Sequence, residues 1–334
     1  MRRCGRATVG GRHRVTSISF GAILPIGRRL ELRDIADVPA KWATTVETAR
    51  TAEALGYDSV WVYDHFHNVP EPSHETVFES WTVLAALTQC TERVRLGQMV
   101  ACNLARSPAL VAKIAATVDV MSGGRLDWGI GAGWDERELR AYGYEFPSAG
   151  ARVEMLDEAV DVVRALWTQP DATYAGRHFR LDGAQCDPNP IQQPHPPIWI
   201  GGAGERRTLR VVARQADCSN FGGSPREWAH KSEVLAAHCR DVGRDYDEIT
   251  RTWSHDLLIR ETEAEIDAAG SLDLWGASPE AWRDANLVGT PDQVAEQVQR
   301  YVDAGCRAFI VWCTDYPSHE SLELFAKRVI PNFR

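Results

Sequence analysis

Lysine is scarce in this sequence: positions 41, 113, 231 and 327 hold the only four, and arginine supplies the rest of the 37 basic residues. The formal net charge is −9, and no Lys/Arg cluster occurs beyond the first 15 residues. Proteins that bind nucleic acids neutralise phosphates with such clusters. The composition therefore argues against a nucleic-acid partner.

Long hydrophobic runs are also missing. None reaches the roughly 20 residues that cross a membrane as a helix, and no apolar segment typical of a signal peptide follows the arginine-rich start "MRRCGRATVGGRHRV". We interpret residues 1–15 as a disordered tail or a misassigned start, and residues 16–334 as one domain. The eight cysteines form no C-x-x-C pair, and several lie in apolar runs, as reduced thiols do. These features predict a cytoplasmic protein.

Short apolar runs alternate with longer amphipathic segments along the chain. Strands are predicted at Ile18–Leu24, Ser59–Tyr63, Val94–Ala101, Leu126–Gly131, Pro197–Gly202, Ala216–Asn220, Thr250–Leu258 and Arg307–Cys313. Helices are predicted at Pro39–Leu55, Phe78–Cys90, Pro108–Met121, Arg152–Leu166, Glu205–Arg214, Pro225–Cys239, Pro291–Ala304 and Glu320–Ile330. Eight strands alternating with eight helices favour a closed (β/α)8 TIM barrel over a doubly wound sheet.

Two segments interrupt this alternation. Residues 168–196 are rich in Pro and Gly, and residues 260–290 contain Trp275 and Trp282 beside glycines. Long segments of this kind inside a compact domain commonly form lids over a site. We predict an insertion at each place, with the second one covering the site.

Two glycine clusters follow strands of the predicted barrel. One is Gly129-x-Gly131-x-Gly133, and the other is Gly201-Gly202-Ala203-Gly204. Without Cβ atoms, such turns let backbone N–H groups approach an anion at a helix start. Neither cluster has the G-x-G-x-x-G spacing of a Rossmann turn. They predict either a phosphate-bearing cofactor or tight turns without a ligand.

The strand "SVWVY" ends in Asp64-His65-Phe66-His67. A His-x-His pair at a strand end can bind a divalent metal, but such sites need further ligands. At the other strand ends only His255 and Asp315 are candidates for such ligands. An imidazole can instead act as acid, base or hydrogen-bond donor, since it titrates near neutral pH. A third interpretation is a structural strand-end cap.

Other chemistries have little support in the sequence. No G-x-S-x-G elbow is present for a serine nucleophile, and Cys102 fits a buried thiol better than a nucleophile. Three tryptophans fall in predicted loops or strand ends, where an aromatic cofactor or substrate can stack on them. They are Trp134, Trp253 and Trp275.

From about residue 18 onward the chain resembles the bacterial luciferase-like monooxygenase superfamily, and within it the branch that depends on the deazaflavin coenzyme F420. The segments that carry the resemblance include "FGAILP", "GYDSVWVYDHF", "RVRLGQMVACNLARSPALVAKIAATVDVMSGGRLDWGIGAGWDERELRAYGYEFP", "PHPPIWIGGAGERRTLRVVARQAD" and "VGTPDQVAEQVQRYVDAGCRAFIV". The resemblance implies a TIM barrel with insertions, usually dimeric, that binds a flavin-like cofactor at its C-terminal end.

The resemblance also implies roles for individual residues. Asp64 would contact the cofactor and His65 would transfer a proton beside the hydride site. A non-prolyl cis peptide near Met99-Val100, with Ala101, would back the ring. The two glycine turns would hold the phosphate part, and their residues are Gly131, Ala132, Gly133, Gly201, Gly202, Ala203 and Gly204.

One position departs from relatives that oxidise a sugar phosphate, in which an acid directly follows the glycines after the fourth strand. Here that position is Trp134, which argues against sugar-phosphate oxidation. The expectation is an F420-dependent oxidoreductase that transfers a hydride to or from a small organic substrate. The alternatives are an FMN-dependent monooxygenase and a non-catalytic flavin-binding barrel, and no metal is expected.

Overall fold

The fold was analysed in a computed structural model, which describes residues 17–270 and 276–334. Eight parallel strand positions close into a barrel, because the first strand pairs with both the second and the last. In barrel order the strands are β1 (Ser19–Ile23), β2 (Ser59–Val62), β3 (Arg95–Gln98) with β4 (Ala101–Cys102), β5 (Leu126–Gly131), β8 (Ile198–Gly201), β9 (Cys218–Asn220), β10 (Thr250–Ile259) and β12 (Ala308–Cys313). The predicted (β/α)8 barrel is confirmed.

Helices follow the strands and cover the barrel. They are α1 (Val38–Ala54), α2 (Ser80–Leu87), α3 (Pro108–Ser122), α4 (Glu136–Ala141), α5 (Ala149–Thr168), α6 (Thr208–Gln215), α7 (Pro225–Val242), α10 (Pro291–Asp303) and α11 (Glu320–Arg328). Sequence signals explain their ends. Pro108, Pro225 and Pro291 stand at helix starts, and Gly123 ends α3 with a φ of 69°.

The predicted strand Val94–Ala101 is divided into β3 and β4. The break lies at a cis peptide bond between Met99 and Val100, neither of which is proline. The resemblance implied this bond, and it is confirmed. The cis bond brings Val100 against the glycines of β5 and β8, and β4 resumes pairing with β5 at Ala101.

Tryptophan fills the barrel interior. Trp61 of β2 is fully buried, and its ring centroid lies 4.6 Å from that of Trp199. The neighbouring strands carry glycine where they meet this indole. A Cβ built on Gly97 would lie 2.3 Å from Trp61 Cε3, and one on Gly21 would lie 2.7 Å from Nε1. The large side chain and the two glycines thus form one packing unit.

Both predicted insertions contain secondary structure of their own. In residues 168–196, β6 (Ala172–Ala175) and β7 (Arg180–Ala184) form an antiparallel pair. The second contains α8 (Glu263–Ala269), α9 (Pro279–Ala285) and β11 (Leu287–Gly289), which pairs with β10. Trp275 lies outside the described residues. Among the described helices, none has the length and apolar character that crossing a membrane requires.

Candidate active site

A cavity of about 610 Å³ opens at the C-terminal end of the barrel strands. It is lined by strand ends, by the loop after β1 and by α9. Among the predicted site residues, the cavity brings together Asp64, His65, Met99, Val100, Ala101, Gly131, Gly133, Trp134, Gly201, Gly202 and Ala203. Ala132, Gly204 and Trp253 are not among the described residues that line it.

His65 is held by a carboxylate that sequence reasoning missed. Its Nδ1 lies 2.8 Å from Oε2 of Glu138, on α4. The imidazole is 16% exposed and its ring centroid lies 5.6 Å from that of Trp134. Since Glu138 binds Nδ1, the neutral ring carries its hydrogen there and presents an unprotonated Nε2.

Glu138 also fixes the loop that follows β2. Its Oε1 accepts hydrogen bonds from the backbone N–H groups of Phe66 (2.7 Å) and His67 (2.8 Å), and it pairs with Arg28 at 3.2 Å. Burial would raise the pKa of Glu138, but hydrogen bonding to His65 and His67 and the charge of Arg28 outweigh it and hold that pKa below its ordinary value. The carboxylate therefore stays ionised beside the imidazole.

A sequence signal for Glu138 existed. Asp135 accepts a hydrogen bond from the Glu138 N–H at 3.1 Å and so caps α4. The spacing D-x-x-E is a helix-start pattern, and the Glu138 carboxylate binds the loop after β2 instead of its own N-cap. The neighbouring Glu136 is exposed on α4, in a surface pair with Arg140.

Asp64 lines the cavity with both of its oxygens already bonded. One accepts from Ser80 at 2.7 Å and the other from the backbone N–H of Cys102 at 2.8 Å, and Arg106 pairs with both at 2.7 and 3.0 Å. The side chain is buried. These contacts tie the end of β2 to β4 and engage both carboxylate oxygens, and the cofactor contact assigned to Asp64 stays a prediction.

Two consecutive arginines from the loop after β1 line the cavity and pair with different carboxylates. Arg28 binds Glu138 and Asp135, whereas Arg29 binds both oxygens of Asp256, at 2.5 and 3.0 Å, and stacks on Trp312 at 4.0 Å. Both guanidiniums are buried or nearly so. Each cation inside the cavity wall is thus neutralised by protein carboxylates.

One cluster has the composition of a metal site. Ligand atoms of His65, Asp135 and Glu138 lie within 4.8 Å of one another. However, Arg28 hydrogen-bonds to both carboxylates, and a guanidinium opposes a cation at the same place. The arrangement favours an ion-paired hydrogen-bond network over metal coordination. His67 does not join it, since its ring packs on Tyr142.

Comparison with known proteins identifies the family. The chain matches the family described as "Luciferase-like monooxygenase" over residues 18–281. The chain belongs to this family. An uncharacterised protein of Mycobacterium tuberculosis is 33% identical over 189 residues, which cover 52% of this chain and 66%, just under two thirds, of that relative. The F420-dependent glucose-6-phosphate dehydrogenase of Amycolatopsis mediterranei is 28% identical over 321 residues, covering 86% of this chain and 94% of that enzyme.

Solved structures share the fold at low identity. An F420-dependent secondary alcohol dehydrogenase, in complex with an F420-acetone adduct, superposes with a TM-score of 0.81 at 21% identity, covering 96% of this chain and 100% of that one. The monooxygenase RslO1 from Streptomyces bottropensis superposes with a TM-score of 0.78 at 22% identity, covering 95% and 100%. The expectation of an enzyme of the luciferase-like family is confirmed.

The glycines of this luciferase-like barrel have a packing role as well. A Cβ on Gly131 would lie 2.7 Å from Val100 Cγ2, and one on Gly201 would lie 2.8 Å from Val100 Cγ1. These two glycines therefore make room for Val100. Gly133 and Gly202, with φ of 79° and 141°, sit in turns that favour glycine and face the cavity. The assignment of the two glycine clusters to the phosphate part of a cofactor stays a prediction.

Two of the three tryptophans that were predicted to stack on a ligand, Trp134 and Trp253, are among the described residues, and their surroundings differ. Trp134 lies at the cavity mouth, 57% exposed. Trp253 is completely buried among Tyr301 and Phe309, with its N–H donated to the Gly223 carbonyl oxygen at 3.2 Å. It is a core residue because β10 turns this side chain toward α10.

Sequence reasoning named His255 only as a possible metal ligand and missed the other polar residues of a second part of the cavity wall. Tyr63, His255 and Asn286 line it beside Asp256 and Trp282. Burial raises the pKa of Tyr63 to about 12, although Arg29 opposes the shift. Burial likewise lowers the pKa of His255 below its ordinary 6.5, more than the Asp256 carboxylate raises it. The ring retains solvent access at the cavity that it lines.

Proposed function

We propose that this protein is an F420-dependent oxidoreductase that transfers a hydride between the deazaflavin and a small organic substrate. The observation that carries the proposal is the His65–Glu138 hydrogen bond, placed in a deep cavity beside the cis bond of Met99 and Val100. Support comes from relatives of nearly full length that are named as F420-dependent dehydrogenases.

The residues present fit such a cofactor. Met99, Val100 and Ala101 form one wall of the cavity, and we assign to them the support of a planar ring. The Gly202–Gly204 turn leads into α6, so backbone N–H groups at this helix start would hold a phosphate. Side chains cannot be added here freely, because a Cβ on Gly204 would lie 2.7 Å from Thr208 Oγ1.

When bound, the deazaflavin would accept or donate the hydride. The protein would supply the accompanying proton transfer. Neutral His65 has its Nδ1–H held by Glu138, so Nε2 would take the proton from a substrate hydroxyl or return it to a carbonyl oxygen. The imidazolium formed in the first direction would be stabilised by the ionised Glu138.

Cofactor binding separates this proposal from its main alternative. Titration of the purified protein with F420 and with FMN, followed by fluorescence, is expected to show micromolar or tighter F420 binding and much weaker FMN binding. Tight FMN binding without F420 binding would replace the proposal with an FMN-dependent monooxygenase. Binding of either cofactor without turnover of any alcohol, ketone or enone would favour a non-catalytic barrel.

The role of His65 has its own test. His65→Ala is expected to bind F420 with unchanged affinity and to lose about 100-fold or more in kcat, the range for removal of a general acid or base. His230→Ala is the matched control, because His230 is a surface residue paired with Glu205. Undiminished turnover in His65→Ala would remove His65 from the mechanism.

Two further features complete the proposal. Leu110 and Met121, 53% and 41% exposed, lie on α3 three turns apart and hence on one face. We propose that this face forms a homodimer interface.

The seven described cysteines are free thiols, which supports a reducing, cytoplasmic location.

A further inference from the structure

We propose that the part of the cavity wall around Asp256 is a substrate subsite for an uncharged polar group, with His255 as its hydrogen-bonding residue. The subsite is built by Tyr63, His255, Asp256, Trp282 and Asn286. The inference rests on the proposed function, whose cofactor would occupy the wall at Met99–Ala101, and it assigns the chemical class of the substrate.

Charge pairing excludes anions from this end of the cavity. The described lining contains two arginines, Arg28 and Arg29, against four carboxylates. Arg29 donates to both oxygens of Asp256, and Arg28 is shared by Glu138 and Asp135. A phosphate or carboxylate on the substrate would therefore meet guanidiniums that are already neutralised and carboxylates that repel it.

A cationic substrate group is not favoured either, because both oxygens of the Asp256 carboxylate already accept hydrogen bonds from the protein. Its Oδ2 accepts from Arg29 and also from the Trp282 indole N–H at 3.2 Å, and Oδ1 accepts from Arg29. The Asp256 backbone N–H is itself bonded to Asn286 at 2.9 Å. The ionic groups of this wall thus satisfy one another.

His255 is the polar group that this wall offers to a ligand. Its ring is reachable from the cavity, which Asn286 also lines. The imidazole therefore offers a ring nitrogen to a molecule in the cavity. In the neutral ring this nitrogen accepts from a hydroxyl or donates to a carbonyl, depending on the tautomer.

The position of the imidazole is fixed by a glycine. A Cβ on Gly222 of the loop after β9 would lie 1.8 Å from Cδ2 and 2.1 Å from Nε2 of His255. The bare backbone at Gly222 is therefore required for the ring to lie where it does. This offers a variant that displaces the imidazole without removing it.

The test uses a matched pair of probes, cyclohexanone and 4-oxocyclohexane-1-carboxylate, which differ by one carboxylate. Calorimetry on the protein saturated with oxidised F420, which prevents turnover, measures binding of each. We expect the ketone to bind at least tenfold more tightly. His255→Ala and Gly222→Ala are each expected to weaken ketone binding about three- to tenfold, the effect of one lost hydrogen bond.

A variant that is expected to gain anion binding provides an independent test of the subsite. Asp256→Asn leaves Arg29 without its charge partner, and the preference for the ketone over the carboxylate is expected to fall below threefold. Asp127→Asn, which frees Arg95 from its pair outside the cavity, should leave the preference unchanged. Equal binding of the two probes to the wild-type protein, binding of neither, or unaltered ketone binding in His255→Ala overturns the proposal.

The proposal of an F420 cofactor and the proposal of the substrate subsite can be tested separately. A preliminary F420 titration of the wild-type protein and every variant reports on the proposed function alone. If F420 does not bind, the same probes are titrated against the cofactor-free protein, where the ketone preference still tests the subsite.

Discussion

The Nδ1 atom of His65 and the Oε2 atom of Glu138 lie 2.8 Å apart, although 73 positions separate the two residues in the chain. The contact joins the end of β2 to α4, so the acid–base candidate is oriented by an element from a different part of the barrel. The imidazole cannot be considered apart from this carboxylate, because Glu138 selects its tautomer.

Glu138→Gln is expected to lower kcat by about 100-fold while F420 binding changes little. The amide N–H₂ group would donate to Nδ1 and so favour the tautomer with hydrogen on Nε2, which cannot accept a proton. Glu136→Gln, on the exposed side of the same helix, is the control for the charge change. Steady-state kinetics with a substrate that the wild-type protein turns over measures kcat of both variants. An unchanged kcat in Glu138→Gln contradicts the role of Glu138 in orienting His65.

Acid should remove the stability that Glu138 provides. Because its folded-state pKa lies below the ordinary 4.5, its contribution is present above about pH 4.5 and is lost as the pH falls through the folded-state value. The difference in thermal unfolding between the wild-type protein and Glu138→Gln should therefore be large at pH 7 and shrink below pH 4.5. A difference that stays constant down to pH 3 would show that the shift is absent.

Arg106→Lys is expected to weaken F420 binding about tenfold. A lysine cannot reproduce the two-point contact that Arg106 makes with Asp64, and Asp64 in turn anchors the N–H of Cys102 next to the cis peptide. Arg137→Lys, in a surface pair with Glu71, is the control. Fluorescence titration measures both affinities, and equal values would show that the anchor does not affect the cofactor wall.

Gly129→Ala should destabilise the fold by about 3 kcal/mol or more, since a Cβ there would lie 1.9 Å from the backbone oxygen of Gln98. Gly123→Ala provides a comparison in open space, where only the φ of 69° is unfavourable, and about 1 kcal/mol is expected. Chemical denaturation gives both values. Equal costs would indicate that β3 moves aside without penalty.

The proposed dimer predicts that Leu110→Glu and Met121→Glu each convert the protein to a monomer. Val38→Glu introduces the same charge at an equally exposed apolar position on α1 and should not. Light scattering coupled to gel filtration reports the mass. A monomeric wild-type protein would remove this part of the proposal.

The barrel could be predicted because apolar runs and glycine or proline signals repeat in a regular order, and each is local to a few residues. His65 could be predicted for the same reason, since it directly follows a buried strand. Glu138 and Arg28 could not be placed in this way, because their roles depend on contacts between distant segments. Trp253 shows the converse limit: a strand-end position does not reveal which face of β10 the indole occupies.

Trp61 and its two glycine neighbours constrain how this barrel can vary. A side chain at position 97 or 21 would occupy the space of the indole, so these positions are expected to covary with position 61. Relatives that carry a larger residue at either glycine should have a smaller one in place of the tryptophan. The three positions in the barrel interior below the cavity should therefore change together in evolution.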